Sequence, residues 1–77
     1  MDTLHNEIVQ LSEAFFLEKT GSLYKSLLDI VERPLIETTL RRTGGNQIRA
    51  ARVLGINRNT LRVKIKRLNI NPELYKE

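Results

Sequence analysis

The chain of 77 residues contains no cysteine and no tryptophan, and only one histidine, two prolines and four glycines. Without cysteine there is no disulfide, and His5 alone provides too few ligands for a zinc site. A domain this short buries only about 60% of its unfolded surface, so it often needs a disulfide, a metal or a partner chain. Since the first two are excluded, we expect association with a second copy, no metal and no cofactor.

The sequence also lacks the features of membrane, secreted and catalytic proteins. No apolar run approaches the about 20 residues that cross a bilayer, and no signal segment opens the chain, so the expected location is the cytoplasm. General acid–base and nucleophilic catalysis need several groups that converge in a cleft. The acidic residues are instead scattered along predicted helices, so we expect no enzyme and no catalytic residue.

Acidic residues are missing altogether from residues 38–72, which carry nine lysines and arginines, whereas residues 1–37 carry seven acids and three cations. A solvated helix surface normally mixes both signs, because opposite charges one turn apart attract each other. A stretch without carboxylates favours a polyanionic partner. An RNA-binding or protein-docking module is the alternative, although the basic half has no aromatic residue on which RNA bases could stack.

Apolar residues repeat with helical spacing through residues 2–42. One helix is predicted over residues 2–19, followed by Gly21 as a C-terminal cap and Ser22 as an N-cap. A second is predicted over residues 23–42 as one kinked helix, because the apolar phase is kept on both sides of Pro34. The apolar face is wider than one neighbouring helix covers, so residues 1–43 are predicted to form a dimerisation bundle. The residues expected at the interface are Leu4, Ile8, Leu11, Phe15, Leu27, Val31 and Leu35.

Residues 46–69 have the features of a helix-turn-helix. Asn46 and Asn57 are suitable N-caps for helices over residues 47–54 and 58–68, and Gly55 between them suits a positive φ. Ala50 and Ala51 are small enough for the two helices to cross closely. The predicted fold is therefore all-α with four helices, the last two forming a helix-turn-helix, and residues 70–77 are predicted to be a frayed tail.

In the last helix, Leu61, Ile65 and Leu68 share one arc and are predicted to face the core. The opposite side is then free to enter a DNA major groove, where arginine recognises guanine edges and asparagine recognises adenine edges. Phosphates are expected further along this helix and at the N-terminus of the preceding one, where free N–H groups attract anions. The DNA-binding residues predicted in this way are Arg58, Asn59 and Arg62 for bases, with Val63 as a further candidate, and Asn46, Gln47, Arg49, Lys64, Lys66 and Arg67 for phosphates.

Three segments closely resemble the Fis family: Gly45-Asn-Gln-Ile-Arg-Ala-Ala, Leu54-Gly-Ile-Asn-Arg-Asn-Thr-Leu and Lys64-Ile-Lys-Arg-Leu. Fis-type domains occur as free-standing nucleoid proteins and as C-terminal domains of NtrC-like activators, which work with the sigma-54 polymerase. The resemblance, which covers about residues 4–71, implies a homodimer formed through the first two helices and binding of degenerate palindromic sites. It places DNA contacts on Asn46, Asn57, Arg58, Thr60, Arg62 and Lys64.

These observations favour a sequence-specific, dimeric DNA-binding domain of a bacterial transcriptional regulator. The preferred interpretation is the C-terminal domain of an NtrC-like, sigma-54-dependent activator that binds palindromic enhancer sites. Its ATPase domain would lie outside this chain, which has no G-x-x-x-x-G-K-[ST] loop. The alternative is a complete small Fis-like nucleoid protein that binds and bends double-stranded DNA.

Overall fold

The computed structural model describes residues 2–76, and this part of the chain forms α-helices and one short 3-10 helix but no strand. The α-helices are α1 (Asp2–Phe15), α2 (Leu23–Arg42), α3 (Gln47–Leu54) and α4 (Arg58–Arg67), and the 3-10 helix is Pro72–Tyr75. The predicted all-α fold with four helices is confirmed. None of the helices in residues 2–76 combines the length and the apolar character needed to cross a membrane.

The chain divides into two compact units, one up to Val31 and the other from Glu32 onward. The division falls inside α2, and so within residues 1–43, which the sequence analysis assigned to dimerisation. The reason is that Ile36 and Leu40, in the C-terminal half of α2, are buried in the same core as residues of α3 and α4. This half of α2 therefore belongs structurally with the helix-turn-helix.

In the first unit, α1 contains no buried residue. It ends at Phe15, earlier than the predicted end near Lys19, because the backbone tightens there into turns: the Phe16 N–H donates to the Glu13 carbonyl three residues back, at 3.3 Å. An amphipathic pattern that continues beyond Phe15 therefore does not define the end of this helix.

Ser22 precedes α2 and its carbonyl accepts the Ser26 N–H at 2.9 Å, as an N-cap carbonyl does. Its hydroxyl, however, donates to the Lys19 carbonyl at 3.2 Å. The predicted capping position is thus correct, but the structure gives the side chain a different partner. Gly21 has a positive φ of 95°, but it lies in the turns that follow the end of α1 at Phe15, so it is not the C-terminal cap that the sequence predicted for that helix.

The second unit has one hydrophobic core, built by α2, α3, α4 and the residues that follow them. Thr39 in α2 and Thr43 just after it are also buried. Their hydroxyls donate to the carbonyls of Leu35 and Thr39, so neither buried hydroxyl lacks a hydrogen bond. The buried apolar residues are Ile36, Leu40, Ala50, Ala51, Leu61, Ile65, Leu68 and Ile70.

The prediction of a frayed tail is wrong. Asn69 adopts a φ of 60°, which asparagine tolerates, and the Ile70 N–H then donates to the Ile65 carbonyl at 3.0 Å, closing the end of α4 as a Schellman motif does. Ile70 is buried, and Tyr75 packs against the core with the Arg41 guanidinium 5.7 Å from its ring centre. Apolar contacts with the core order this segment, although the local sequence did not predict that it would be ordered.

The core predicts a strong contrast between two leucine-to-alanine substitutions. Leu61→Ala removes a fully buried side chain and is expected to lower the free energy of unfolding by about 2–5 kcal/mol. Leu74→Ala removes the same atoms from a side chain that is 77% exposed, and is expected to change it by less than about 0.5 kcal/mol. Urea unfolding followed by circular dichroism measures both, and equal losses would contradict this core.

Candidate nucleic-acid interface

The N-terminus of α3 is capped as predicted. Asn46 has extended backbone, and its side-chain Oδ1 accepts the Arg49 N–H at 3.1 Å. The remaining N–H groups of the first helical turn have no carbonyl partner within the helix and carry its positive dipole end. Asn46 and Arg49 are exposed and Gln47 is half-buried, so the predicted phosphate-binding residues lie at an accessible helix end.

The turn between α3 and α4 also follows the prediction. Gly55 has a φ of 74°, and the next N–H, that of Ile56, donates back to the Ala51 carbonyl at 3.0 Å. Asn57 caps α4 by accepting the Asn59 N–H at 2.7 Å. Ala50 and Ala51 are both buried where α3 and α4 pack together, as a close crossing requires.

The orientation of α4 about its own axis decides which side chains DNA could reach. Leu61, Ile65 and Leu68 are buried, which confirms the predicted inner face. The residues exposed on the remaining surface of α4 are Arg58, Asn59, Thr60, Arg62, Val63, Lys66 and Arg67, and its N-cap Asn57 is exposed as well. They are all accessible to a groove, and their contacts with DNA remain predictions.

Lys64 is the predicted contact whose surroundings the sequence did not reveal. Its Nζ lies 2.6 Å from Oε2 of Glu32 in α2, and the other oxygen of Glu32 lies 3.3 Å from the Arg67 guanidinium. The neighbouring Arg33 donates a hydrogen bond to the Leu68 carbonyl at the end of α4. Glu32 and Arg33 were not among the predicted site residues. More than 30 positions separate Glu32 from Lys64 and Arg33 from Leu68, and no local pattern marks such pairs.

The residues predicted for dimerisation remain accessible in the single chain. Phe15 and Leu27 are half-buried, and the others, Leu4, Ile8, Leu11, Val31 and Leu35, are exposed. The structure thus leaves these side chains available for a partner, and their role in dimerisation stays a prediction.

Comparison with known proteins identifies the family of the chain. The profile described as "Bacterial regulatory protein, Fis family" matches residues 27–68, which is more than half of the chain. The chain belongs to the Fis family. The match includes α3, α4 and all of α2 except its first residues, so it contains every helix of the core that orients α4. The chain is accordingly a DNA-binding helix-turn-helix domain of this bacterial family.

Individual members of the Fis family and of related regulators are similar over most of the chain. The DNA-binding transcriptional regulator NtrC of Azospirillum brasilense is 52% identical over 64 residues, which are 78% of this chain and 13% of NtrC. The DNA-binding protein Fis of Vibrio atlanticus is 42% identical over 69 residues, or 90% of this chain and 66% of Fis, and Fis of Photobacterium profundum gives the same values. The chain therefore spans about an eighth of NtrC and slightly less than two thirds of Fis. No solved structure matches it significantly.

A groove at the N-terminus of α3 is closed on one side by the C-terminal segment. It is lined by Gly44, Gly45, Asn46, Gln47, Ile48 and Lys76. A Cβ placed on Gly45 would lie 2.7 Å from the Pro72 carbonyl oxygen and 2.9 Å from Cγ of Lys76, whereas a Cβ on Gly44 would meet no atom within 4 Å. Both glycines have positive φ, so only the steric contact distinguishes them.

Gly45→Ala is therefore expected to lower the free energy of unfolding by about 1–3 kcal/mol more than Gly44→Ala does, because overpacking against backbone adds to the cost of the left-handed conformation. The measurement is urea unfolding of both variants. In a chain that ends at Asn71 the difference should disappear, since the Pro72 carbonyl is then gone. A difference that persists in the shortened chain would contradict the contact.

Proposed function

We propose that the chain is the sequence-specific DNA-binding domain of a transcriptional regulator of the NtrC-like, sigma-54-dependent kind, and that it binds palindromic enhancer sites as a homodimer. The observation that carries the proposal is the orientation of α4, in which Leu61 and Ile65 are anchored in the core while Arg58 and Arg62 are exposed. The higher identity to NtrC, 52% against 42% for Fis, favours the activator.

Base recognition is assigned to the first turns of α4. Arg58 and Arg62 are one helical turn apart, so both guanidinium groups lie along the same flank of the helix. Each can donate two hydrogen bonds to the O6 and N7 atoms of a guanine, and the Asn59 amide can pair with an adenine edge. Asn57 and Thr60, at the N-terminal end of the helix, are the other residues proposed to contact DNA there.

Phosphate contacts position this helix. Asn46, Gln47 and the N–H groups of α3 offer hydrogen bonds to one strand, and Arg49 adds a charge one turn further along. Lys66 is exposed and can reach the backbone on the other side of the groove. These contacts fix the register of the domain on DNA, while the base edges provide the sequence preference.

A homodimer explains why palindromic sites are proposed. The exposed apolar side chains of α1, together with Val31, offer a surface that water disfavours and a second copy can cover. A two-fold dimer presents two recognition helices, which suit two half-sites about one helical turn of DNA apart.

The alternative function is that of a small Fis-like nucleoid protein that binds and bends DNA. It is favoured by one observation, the alignment with Fis, which covers 90% of this chain compared with 78% for NtrC. Selection of bound duplexes from a random pool separates the two. A single well-defined palindrome would support the activator, whereas weakly related sequences that migrate as bent DNA in circular-permutation gels would support the nucleoid protein.

The assignment of Arg62 to a base predicts a sequence-dependent effect. Arg62→Ala is expected to weaken binding to the selected duplex by about 1–3 kcal/mol and binding to random duplex much less. Lys66→Ala serves as the comparison, because loss of a phosphate contact should weaken both complexes alike and reduce the log–log salt slope by about 1. Fluorescence anisotropy at several salt concentrations measures these values. Equal losses for Arg62→Ala on both duplexes would reassign it to a phosphate.

The proposed dimer predicts the mass of the chain in solution. Sedimentation equilibrium at micromolar concentration is expected to give twice the chain mass of 8.9 kDa. Ile8→Asp places a charge on the exposed apolar face of α1 and should shift the equilibrium to monomer, whereas Val53→Asp, on the exposed side of α3, should not. A helical species of single-chain mass in the unmodified protein would contradict the dimer.

A further inference from the structure

The carboxylate of Glu32 binds two cations of the recognition helix at once. Its Oε2 lies 2.6 Å from the Lys64 ammonium and its Oε1 lies 3.3 Å from the Arg67 guanidinium. The Glu32 side chain is only 19% exposed, and those of Lys64 and Arg67 are 30% and 33% exposed. All three residues lie in the second compact unit, so this arrangement is part of the helix-turn-helix itself.

The two flanks of α4 differ in whether their cations are paired with an acid. Lys64 and Arg67 are three positions apart and lie on one flank, beside a groove that is also lined by Asn59, Thr60 and Val63. Arg58 and Arg62 lie on the other flank, where they are exposed and form no ion pair with any acid of residues 2–76. The carboxylate thus neutralises charge on one flank and leaves the proposed base-reading arginines unchanged.

We propose that Glu32 is a positioning residue that limits the binding of DNA phosphates by α4, because its carboxylate competes with phosphate for Lys64 and Arg67. This inference rests on the proposed function, since it assumes that the exposed side of α4 faces DNA.

The affinity of a protein for DNA of any sequence comes from cations that neutralise phosphates and release the counterions condensed on them. A lysine that already binds a carboxylate must give up this pair before it binds a phosphate, and the carboxylate left behind repels the phosphate. Base contacts by Arg58 and Arg62 require no such exchange. Glu32 therefore reduces the contribution of phosphate contacts specifically.

The test compares two glutamates of α2. Glu32→Gln removes the charge that binds α4. Glu37→Gln removes an equal charge that forms an ion pair with Arg33, also in α2, at 3.9 Å. Binding of both variants to a random duplex is measured by fluorescence anisotropy over a range of salt, with circular dichroism to compare their helicity.

Glu32→Gln is expected to raise the affinity for random duplex by about 3- to 10-fold at 0.1 M salt and to steepen the log–log salt slope by up to about 0.9 per protomer. Glu37→Gln should give a smaller change in both. Equal changes in the two variants, or weaker binding by Glu32→Gln, would overturn the proposal, since a merely structural role for Glu32 does not steepen the salt slope.

A second comparison does not depend on how well Glu32→Gln folds. Replacing Glu32 by Asp shortens the side chain and should release Lys64 in part, which gives a steeper salt slope than that of the unmodified chain. Lys64→Gln should then cost several-fold more affinity in the Glu32→Gln or Glu32→Asp background than in the unmodified chain. Equal costs in all backgrounds would overturn the competition. Failure of the unmodified chain to prefer a selected duplex would instead count against the proposed sequence-specific function, and the salt slopes on random duplex could still be compared.

Discussion

The burial of Leu61 and Leu40 in one core is the constraint on which the proposed DNA-facing surface depends. Both side chains are fully buried, and together they join α4 to the C-terminal half of α2. A helix has one rotation about its axis at which its apolar residues are buried, and that rotation also determines which polar residues point outward. The exposure of Arg58 and Arg62 is thus a consequence of hydrophobic burial on the other side of the helix. Ala50 and Ala51 contribute by allowing α3 to approach closely enough to close the same core.

The parts of the fold that the sequence predicted well are those that depend on local chemistry. Asn46 and Asn57 accept N–H groups two or three residues ahead, and Gly55 takes up a conformation that disfavours other residues. Such signals lie within a few positions of the helix ends they define, so α3 begins and ends as predicted and α4 begins as predicted. The buried face of α4 could also be predicted from the sequence, because the helical spacing of apolar residues indicates directly which side is buried.

The features that could not be predicted depend on residues distant in sequence. Nothing near Glu32 indicates that its carboxylate meets Lys64 and Arg67, and nothing near Asn71 indicates that the following residues pack beside Gly45. The end of the chain was predicted to be a frayed tail, yet Ile70 and Tyr75 are held by contacts with the core. Of the candidate site, the exposed residues and caps were therefore identified from the sequence, and the ion pairs of Glu32 with Lys64 and Arg67 were not.

The exposure of α1 has a consequence for regulation by the amount of protein. A helix of 14 residues without a single buried side chain gains little from its own chain, and isolated helices of this length are marginal in water. Under the proposed pairing, its order is supplied by the second copy, so folding of this segment is linked to chain concentration by mass action. Occupancy of a two-part site would then rise more steeply than in proportion to cellular copy number. Modest changes in its synthesis or degradation would then produce larger changes in the fraction of such sites that are bound.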